Sequence, residues 1–344
     1  MNSRIRTYIT TGGGLLLAAL LLYLALRGVD LEMMMDALRA ASYGWLLPLA
    51  LIILLSVWLR AWRWLLLLRA HPHHKREHEE AREGLQRAAF FSVMIGYMVN
   101  YAAPRAGEVA RAVNLSAQSR YSVSGIFGTV FSERLLDVIV LAFALLSSVL
   151  LLLGRLEDLS ALLGSPAHLQ PDRLPWLLIA GGLALTLAFG IFLLRYVKRL
   201  KPILRSFWDG IQTLWKTPER AGLLLSTVGL WMCYVLMAYI PFLMLDMVEP
   251  YSLTLLDTWV IMALGALGIL VPSPGGAGSY HYITIQTLVI LYGVSSPAAA
   301  GYAIIGHGVQ LVFFVAAGAI CLAIQGIPLR DLLARQEKTS RPKK

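Results

Sequence analysis

Apolar residues occur in this chain as long blocks separated by short polar stretches. Several blocks reach the roughly 20 residues that a helix needs to cross a bilayer. The pattern predicts about six full transmembrane helices, with approximate ranges 12–26, 43–68, 123–153, 176–194, 223–245 and 298–324. The expected fold class is an all-α polytopic membrane protein. A single transmembrane domain would cover residues 1–328, and residues 329–344 would form a basic cytoplasmic tail.

Two further apolar stretches, 88–117 and 257–292, are each interrupted near the middle by proline and glycine. Proline removes a backbone donor and disfavours helix at the preceding residue, and glycine weakens a helix. We therefore expect two short helices joined by non-helical backbone in each stretch. The residues expected to form the breaks are Pro104 and Gly107 in the first stretch, and Pro272, Pro274, Gly275, Gly276 and Gly278 in the second.

The distribution of charge predicts the topology. Cytoplasmic loops carry an excess of lysine and arginine, which places residues 60–87, 195–220 and the C-terminal tail inside. Both termini are then cytoplasmic. With the acidic loops outside, each interrupted stretch must return to the side from which it entered, so the two form re-entrant hairpins of opposite sense. Such paired interruptions are typical of a transporter substrate site. Alternatively, each limb crosses the membrane fully.

One cytoplasmic segment, residues 199–220, has apolar residues at helical spacing among basic ones. This pattern predicts an amphipathic helix. It fits a helix lying on the membrane surface and equally a linker helix packed on the bundle.

Composition supports the membrane class. The chain has 344 residues, of which 58% are hydrophobic and 15% charged, whereas soluble domains have about 25% charged residues. The net charge of +10 comes mostly from residues between apolar blocks, so we expect no nucleic-acid partner. The histidines near residue 75 lack a second ligand cluster, and the two cysteines lie far apart in apolar blocks. No metal or cofactor is expected.

Six charged residues lie within or beside apolar stretches. They are Arg105, Glu108 and Arg111 after the first break, and Glu133, Arg134 and Asp137 in the helix predicted over 123–153. Ionised groups are expensive in lipid, so we expect these to face the bundle and form ion pairs. The set has three bases and three acids and can be neutral. We expect Arg105 or Arg111 to pair with Glu133 or Asp137. The alternative places 132–137 among the lipid head groups.

A second group of polar residues, Arg60, Trp62, Arg63 and Trp64, lies near the inner end of the second predicted helix. Tryptophan and snorkelling arginine are common at membrane interfaces. We interpret these four residues as interface anchors.

Four motifs occur in order along the chain, and together they resemble the lysylphosphatidylglycerol synthase transmembrane region, also called the flippase-like family. The motifs are Arg60 with Arg63-Trp64, Asn100-x3-Pro104-Arg105-Ala106-Gly107-Glu108-x2-Arg111, Thr129-x3-Glu133-Arg134-x2-Asp137, and Pro272-x-Pro274-Gly275-Gly276-x-Gly278. The resemblance covers nearly the whole chain.

The resemblance implies transport of a phospholipid or lipid-linked molecule between leaflets of a bacterial or archaeal plasma (inner) membrane. The arginines would attract a phosphate, because guanidinium groups match its geometry. The expected partners are membrane lipids with an anionic or zwitterionic head group, and a homo-oligomer is a further option. The candidate substrate-binding residues are Asn100, Arg105, Glu108, Arg111, Glu133, Arg134, Asp137, Ser279 and His281.

The chain departs from the family pattern in two places. Bifunctional members carry a soluble aminoacyltransferase domain after the membrane region, where this sequence has a short tail, so we expect no enzyme activity. Many members also place a glutamate shortly after the second break, where this chain has Ser279 and His281. His281 is then either a titratable donor or a cap for the turn. His307 and Gln310 either line the same cavity or bond between helices.

Two other functions remain open. One is a membrane-embedded transferase acting on lipid-linked substrates, with Glu108, Glu133 or Asp137 as general base. The other is a non-transporting accessory subunit in which the charged pairs only join helices.

Overall fold

The computed structural model describes residues 16–70, 82–103, 106–119, 121, 123–153, 219–270 and 273–326. These residues form helices and contain no strand, which confirms the all-α class. The helices are α1 (Leu16–Leu26), α2 (Leu31–Ala40), α3 (Leu46–Ala70), α4 (Arg82–Ala102), α5 (Ala106–Gln118), α6 (Val123–Leu151), α7 (Arg220–Met244), α8 (Leu255–Leu270), α9 (Ser279–Tyr292) and α10 (Ser296–Gln325).

Several predicted features lie outside the described residues. They are Pro104, Arg105, Pro272, the transmembrane helix at 176–194, the amphipathic segment at 199–220 and the C-terminal tail.

Four of the described helices are long and apolar enough to cross a membrane: Tyr43–Ala70, Gly125–Leu151, Arg220–Met244 and Ser296–Gln325. Their outward faces carry large exposed apolar side chains. On α6 these include Val138, Ile139, Phe143, Leu146 and Leu150. Apolar exposure of this extent is expected where a helix meets lipid. The polytopic membrane class is therefore confirmed.

Helices α4 and α5 form an antiparallel hairpin across the first break. Near the tip, the Gly107 N–H donates to Asn100 Oδ1 at 2.8 Å. Farther from the tip, Asn114 Nδ2 donates to Ser92 Oγ at 2.9 Å. A Cβ atom at Gly96 would lie 3.0 Å from the Gly107 carbonyl oxygen, so the two backbones are in direct contact. Glycine at these positions permits the close approach.

Helices α8 and α9 form a second antiparallel hairpin. The Ser279 hydroxyl donates to the Gly268 carbonyl at 2.6 Å and closes the hairpin near its tip. The backbone of the tip is not helical. Gly275, Gly276 and Gly278 have φ values of 60°, 79° and 84°, in the left-handed region that favours glycine.

The tips of the two hairpins meet. The Tyr101 ring, at the end of α4, packs directly against Gly275, so that any side chain there would collide with it. The hairpins open in opposite directions from this contact along α10. The open end of the first lies where Gln325 bonds to Gln118, and that of the second lies at the start of α10, which follows Tyr292 closely in the chain. Helix α10 packs against both α4 and α9. The depth of each hairpin in a membrane stays a prediction.

Candidate functional site

A cluster of seven ionised side chains joins three helices in the interior of the bundle. We call it the ion-pair cluster. Its members are Arg60 and Arg63 from α3, Glu108 and Arg111 from α5, and Glu133, Arg134 and Asp137 from α6.

Glu133 lies at the centre of the ion-pair cluster and is fully buried. Its Oε1 accepts hydrogen bonds from Arg60 Nε at 2.6 Å and Arg63 Nη2 at 3.5 Å. Its Oε2 accepts a bond from Arg111 Nη1 at 2.8 Å. The expected pairing of Arg111 with Glu133 is therefore present. Three guanidinium groups hold one carboxylate, which explains how its charge is accommodated away from water.

The rest of the cluster reaches toward the surface. Asp137 accepts hydrogen bonds from Arg63 Nη2 at 2.6 Å and Arg60 Nη2 at 2.7 Å. Glu108 pairs with Arg134 and lies 2.8 Å from Arg111 Nε. The side chains of Asp137, Glu108 and Arg134 are 19%, 25% and 43% exposed. The cluster thus runs from a sealed centre to an accessible edge.

The interpretation of Arg60, Arg63 and Trp64 as interface anchors is wrong. Arg63 and Trp64 are fully buried, and Arg60 is nearly so. The Trp64 indole donates to Thr129 Oγ1 at 3.0 Å. Its ring lies 4.8 Å from the Arg111 guanidinium, within range of a cation–π interaction. Arg60 and Arg63 are buried because their carboxylate partners lie on the facing helix α6. Trp64 packs beside the ion-pair cluster.

Every nitrogen atom of the Arg60 guanidinium group bonds within the protein. Besides its two carboxylate partners, its Nη1 donates to the hydroxyl of Tyr97 at 2.5 Å and to that of Tyr234 at 3.1 Å. Neither tyrosine was singled out from the sequence.

The charges of the described cluster do not balance. Four guanidinium groups face three carboxylates. The set expected to be neutral included Arg105, which lies outside the described residues, so that expectation stays a prediction. Some buried donors also lack a hydrogen-bond partner among the described residues: Arg63 Nε and Nη1, and Arg111 Nη2 and Nε, the last of which lies 2.8 Å from Glu108 Oε2. An excess positive charge with unused donors is suited to binding an anion.

The other predicted site residues already have partners within the protein. Asn100 bridges the first break through Gly107, and the Ser279 hydroxyl bonds to Gly268. His281 caps α9, since its Nδ1 accepts the Gly278 N–H at 3.4 Å. Ser279 and His281 belong to the second tip and not to the ion-pair cluster.

His307, on α10, contacts the second tip. Its Nε2 lies 2.9 Å from the Gly275 carbonyl oxygen. Its ring centre is 5.0 Å from that of His281 and 5.6 Å from that of Tyr280, on which it stacks. The part of the chain that the structure describes contains no group of three His, Cys, Asp or Glu side chains able to hold a metal ion.

Comparison with known proteins identifies a family for nearly the whole chain. A family model described as the lysylphosphatidylglycerol synthase TM region matches residues 13–318, which include both hairpins and the ion-pair cluster. Neither curated proteins nor solved structures gave a significant match. The match confirms the resemblance found in the motifs, and the chain belongs to the lysylphosphatidylglycerol synthase transmembrane-region family.

Proposed function

We propose that this protein moves a phospholipid, or another lipid that carries a phosphate, between membrane leaflets. In this proposal the ion-pair cluster binds the phosphate. The observation that carries it is the excess positive charge of the cluster, together with the unused buried donors of Arg63 and Arg111.

Charge matching supports a phosphate ligand. A phosphodiester carries one negative charge, which equals the excess of guanidinium over carboxylate among the described residues. An uncompensated charge at membrane depth costs about 3 kcal/mol or more, so binding an anion would relieve that cost. Guanidinium groups bind phosphate oxygens in a bidentate manner, for which a pair of neighbouring donors is required. Arg111 has the neighbouring donors Nε and Nη2 without a hydrogen-bond partner among the described residues, with Nε 2.8 Å from Glu108 Oε2. Arg63 adds the single donors Nε and Nη1, which lie on different edges of its guanidinium group.

The hairpins support transport. Interrupted segments in the two halves of a membrane protein are associated with substrate sites in transporters. Here the first hairpin carries Arg111 into the ion-pair cluster, and its tip contacts the second hairpin at Gly275. Movement of the first hairpin would therefore change both the cluster and the junction of the tips.

The transferase alternative has less support. A general base must come within hydrogen-bond reach of the proton that it removes, so a carboxylate enclosed by arginine side chains is poorly placed for this role. Both oxygens of Glu133 and both oxygens of Asp137 accept bonds from arginine, and Glu108 pairs with Arg134 and Arg111. We therefore propose a transporter without enzyme activity.

A lipid-scrambling assay tests the proposal. The purified protein is reconstituted into vesicles with fluorescent phospholipids, and a membrane-impermeant quencher reports the rate at which lipid leaves the inner leaflet. Lipids retained through purification are identified by native mass spectrometry. The informative variant is Arg63→Lys, which keeps the positive charge but loses the unused donors Nε and Nη1. We expect it to fold, to retain less phosphate-bearing lipid and to scramble slowly.

Arg60→Lys is the matched control. It makes the same chemical change in the same helix, but the donors it removes already bond to the protein. We expect it to lower stability without a selective loss of lipid retention. Equal lipid retention and scrambling in the wild type and Arg63→Lys would overturn the proposed anion site. Wild-type vesicles that scramble no faster than protein-free vesicles would overturn transport, as the accessory-subunit alternative predicts.

A further inference from the structure

The junction of the two hairpin tips contains a titratable pair that the ion-pair cluster does not use. His281 and His307 lie on different helices with ring centres 5.0 Å apart, and both are largely buried. Each ring has one nitrogen bonded to the backbone of the second tip. No described carboxylate forms an ion pair with either ring. Any charge gained here would therefore act directly on the tip.

The backbone partners fix the protonation of each ring. The nitrogen that accepts the Gly278 N–H must be unprotonated, so His281 keeps its Nδ1 as an acceptor. The nitrogen facing the Gly275 carbonyl must carry a proton, because a carbonyl oxygen only accepts. His307 therefore donates through Nε2 and leaves Nδ1 unprotonated.

This difference decides which ring gains a proton. A proton on His281 Nδ1 would break its bond to Gly278 and place two N–H donors against each other. A proton on His307 Nδ1 leaves the bond to Gly275 intact and makes it charge-assisted, which strengthens it. The Tyr280 ring, stacked 5.6 Å from His307, also favours a cation over its face.

Gly275 is also the residue against which the first hairpin packs, through Tyr101. The Tyr101 ring centre lies 5.9 Å from that of His307. A stronger bond from His307 to Gly275 would fix the second tip in the position that contacts Tyr101. Loss of the proton would weaken that attachment.

We propose that His307 binds a proton at the junction of the hairpin tips, that the protonated ring fastens the second tip through the Gly275 carbonyl, and that this proton controls lipid movement. The last part rests on the proposed transport function. Proton binding itself does not, since it concerns only contacts within the protein.

The other titratable groups around His307 do not confuse the test. Those in ring contact with it among the described residues are Tyr101 and Tyr280 on the hairpins and His281 on α9. Phenols titrate near pH 10, whereas an ordinary imidazole titrates near pH 6.5. Between about pH 5 and 8, the proposal therefore expects His307 to be the group at this junction that changes charge.

Two variants separate the roles of the histidines. His307→Gln keeps an N–H donor at a position similar to Nε2 but cannot gain a proton near neutral pH. His281→Asn keeps an acceptor near the position of Nδ1 for the Gly278 N–H and leaves His307 intact. The readout is the ratio of scrambling rates at high and low pH within each variant, in vesicles of phosphatidylcholine and phosphatidylglycerol.

We expect wild-type scrambling to slow by about tenfold as the pH falls, the factor that separates a neutral from a charge-assisted hydrogen bond. His281→Asn should keep this dependence, and His307→Gln should lose it. A pH dependence in His307→Gln equal to that of the wild type would overturn the proposal.

Nuclear magnetic resonance of histidine-labelled protein in lipid nanodiscs gives a second measurement that needs no transport. The His307 signal is assigned by its absence from His307→Gln, or by elimination through the other histidine variants if that protein does not fold. A His307 ring that titrates between about pH 5 and 8 supports the proton site. A ring that stays neutral across that range overturns it, even if lipid transport is established.

Discussion

Replacing Glu133 by glutamine should destabilise the protein more than any exposed charge neutralisation. Glu133 is fully buried and accepts hydrogen bonds from Arg60, Arg63 and Arg111. Glutamine has nearly the same shape but no charge, and its amide nitrogen would face a guanidinium donor. The excess positive charge of the described cluster would rise from one to two.

The expected magnitude follows from the loss of a central acid. Removing one partner from a buried ion pair costs about 3–5 kcal/mol, because the remaining charge is left uncompensated. Asp36→Asn provides the comparison. Asp36 pairs with Arg39 at 3.3 Å, but their side chains are 65% and 75% exposed. Exposed pairs of this kind contribute between 0 and about 1 kcal/mol.

The assay is the free energy of unfolding in mixed micelles, measured by titration with a denaturing detergent. Glu133→Gln should lose several times more stability than Asp36→Asn. Adding Arg63→Met to Glu133→Gln should recover part of the loss, because it removes one of the uncompensated charges; coupling energies between contacting residues are about 0.5–3 kcal/mol. If Glu133→Gln costs no more than Asp36→Asn, the argument that buried charges hold these helices together is wrong.

Three further predictions concern the hairpins and the topology. Gly107→Ala should weaken the first hairpin, because a Cβ there would collide with the Gly96 carbonyl oxygen and lie 2.6 Å from the Asn100 side chain; the change in unfolding free energy measures this. Gly278→Ala should cost more stability than Gly293→Ala. Both glycines have positive φ, but only Gly278 packs against α1, whereas Gly293 has nothing within 4 Å, so equal losses would contradict close packing at the tip. Cysteines introduced at positions 205 and 340, both outside the described residues, should resist labelling from outside intact cells, and strong labelling would reverse the predicted orientation.

The helical hairpins were predictable because their signals are local. Glycines at 275, 276 and 278 mark a backbone that helix cannot continue, and these residues have positive φ in the structure. The pairing of the limbs followed from charge counting along the chain. The contact between the tips did not, because no local pattern specifies which residue of α4 meets Gly275.

The ion-pair cluster was predicted only in part. Glu133 and Asp137 lie one turn apart, which placed both acids on one face of α6. Arg60 and Arg63 show a matching one-turn spacing, but tryptophans beside them favoured an interface interpretation. In the structure the two arginines of α3 face the two acids of α6. Two bases three residues apart in one apolar helix and two acids four residues apart in another each share one helix face, and this is a signal that would have identified their pairing.

The His307 contact with Gly275 was not predictable from the sequence. A histidine in an apolar helix is compatible with many helix rotations, and periodicity does not fix its depth relative to a distant turn. The described structure supplies that information through the packing of α10 against α4 and α9.

Aromatic packing joins the two sites physically. Arg60 of the ion-pair cluster donates to the Tyr97 hydroxyl at 2.5 Å, and Tyr97 stacks on Phe314 with ring centres 4.4 Å apart. Phe314 in turn stacks on Tyr101, whose ring lies 5.9 Å from His307. Contact alone does not couple two sites, since coupling requires an element with two arrangements that both sites bias. The second tip meets this requirement in our proposals, because protonation of His307 alters its attachment and movement of α4 alters its contact with Tyr101. An anion bound between Arg63 and Arg111 would act on the first hairpin through α5, whereas the proton acts on the second tip, so lipid and proton would affect the junction of the tips through different hairpins.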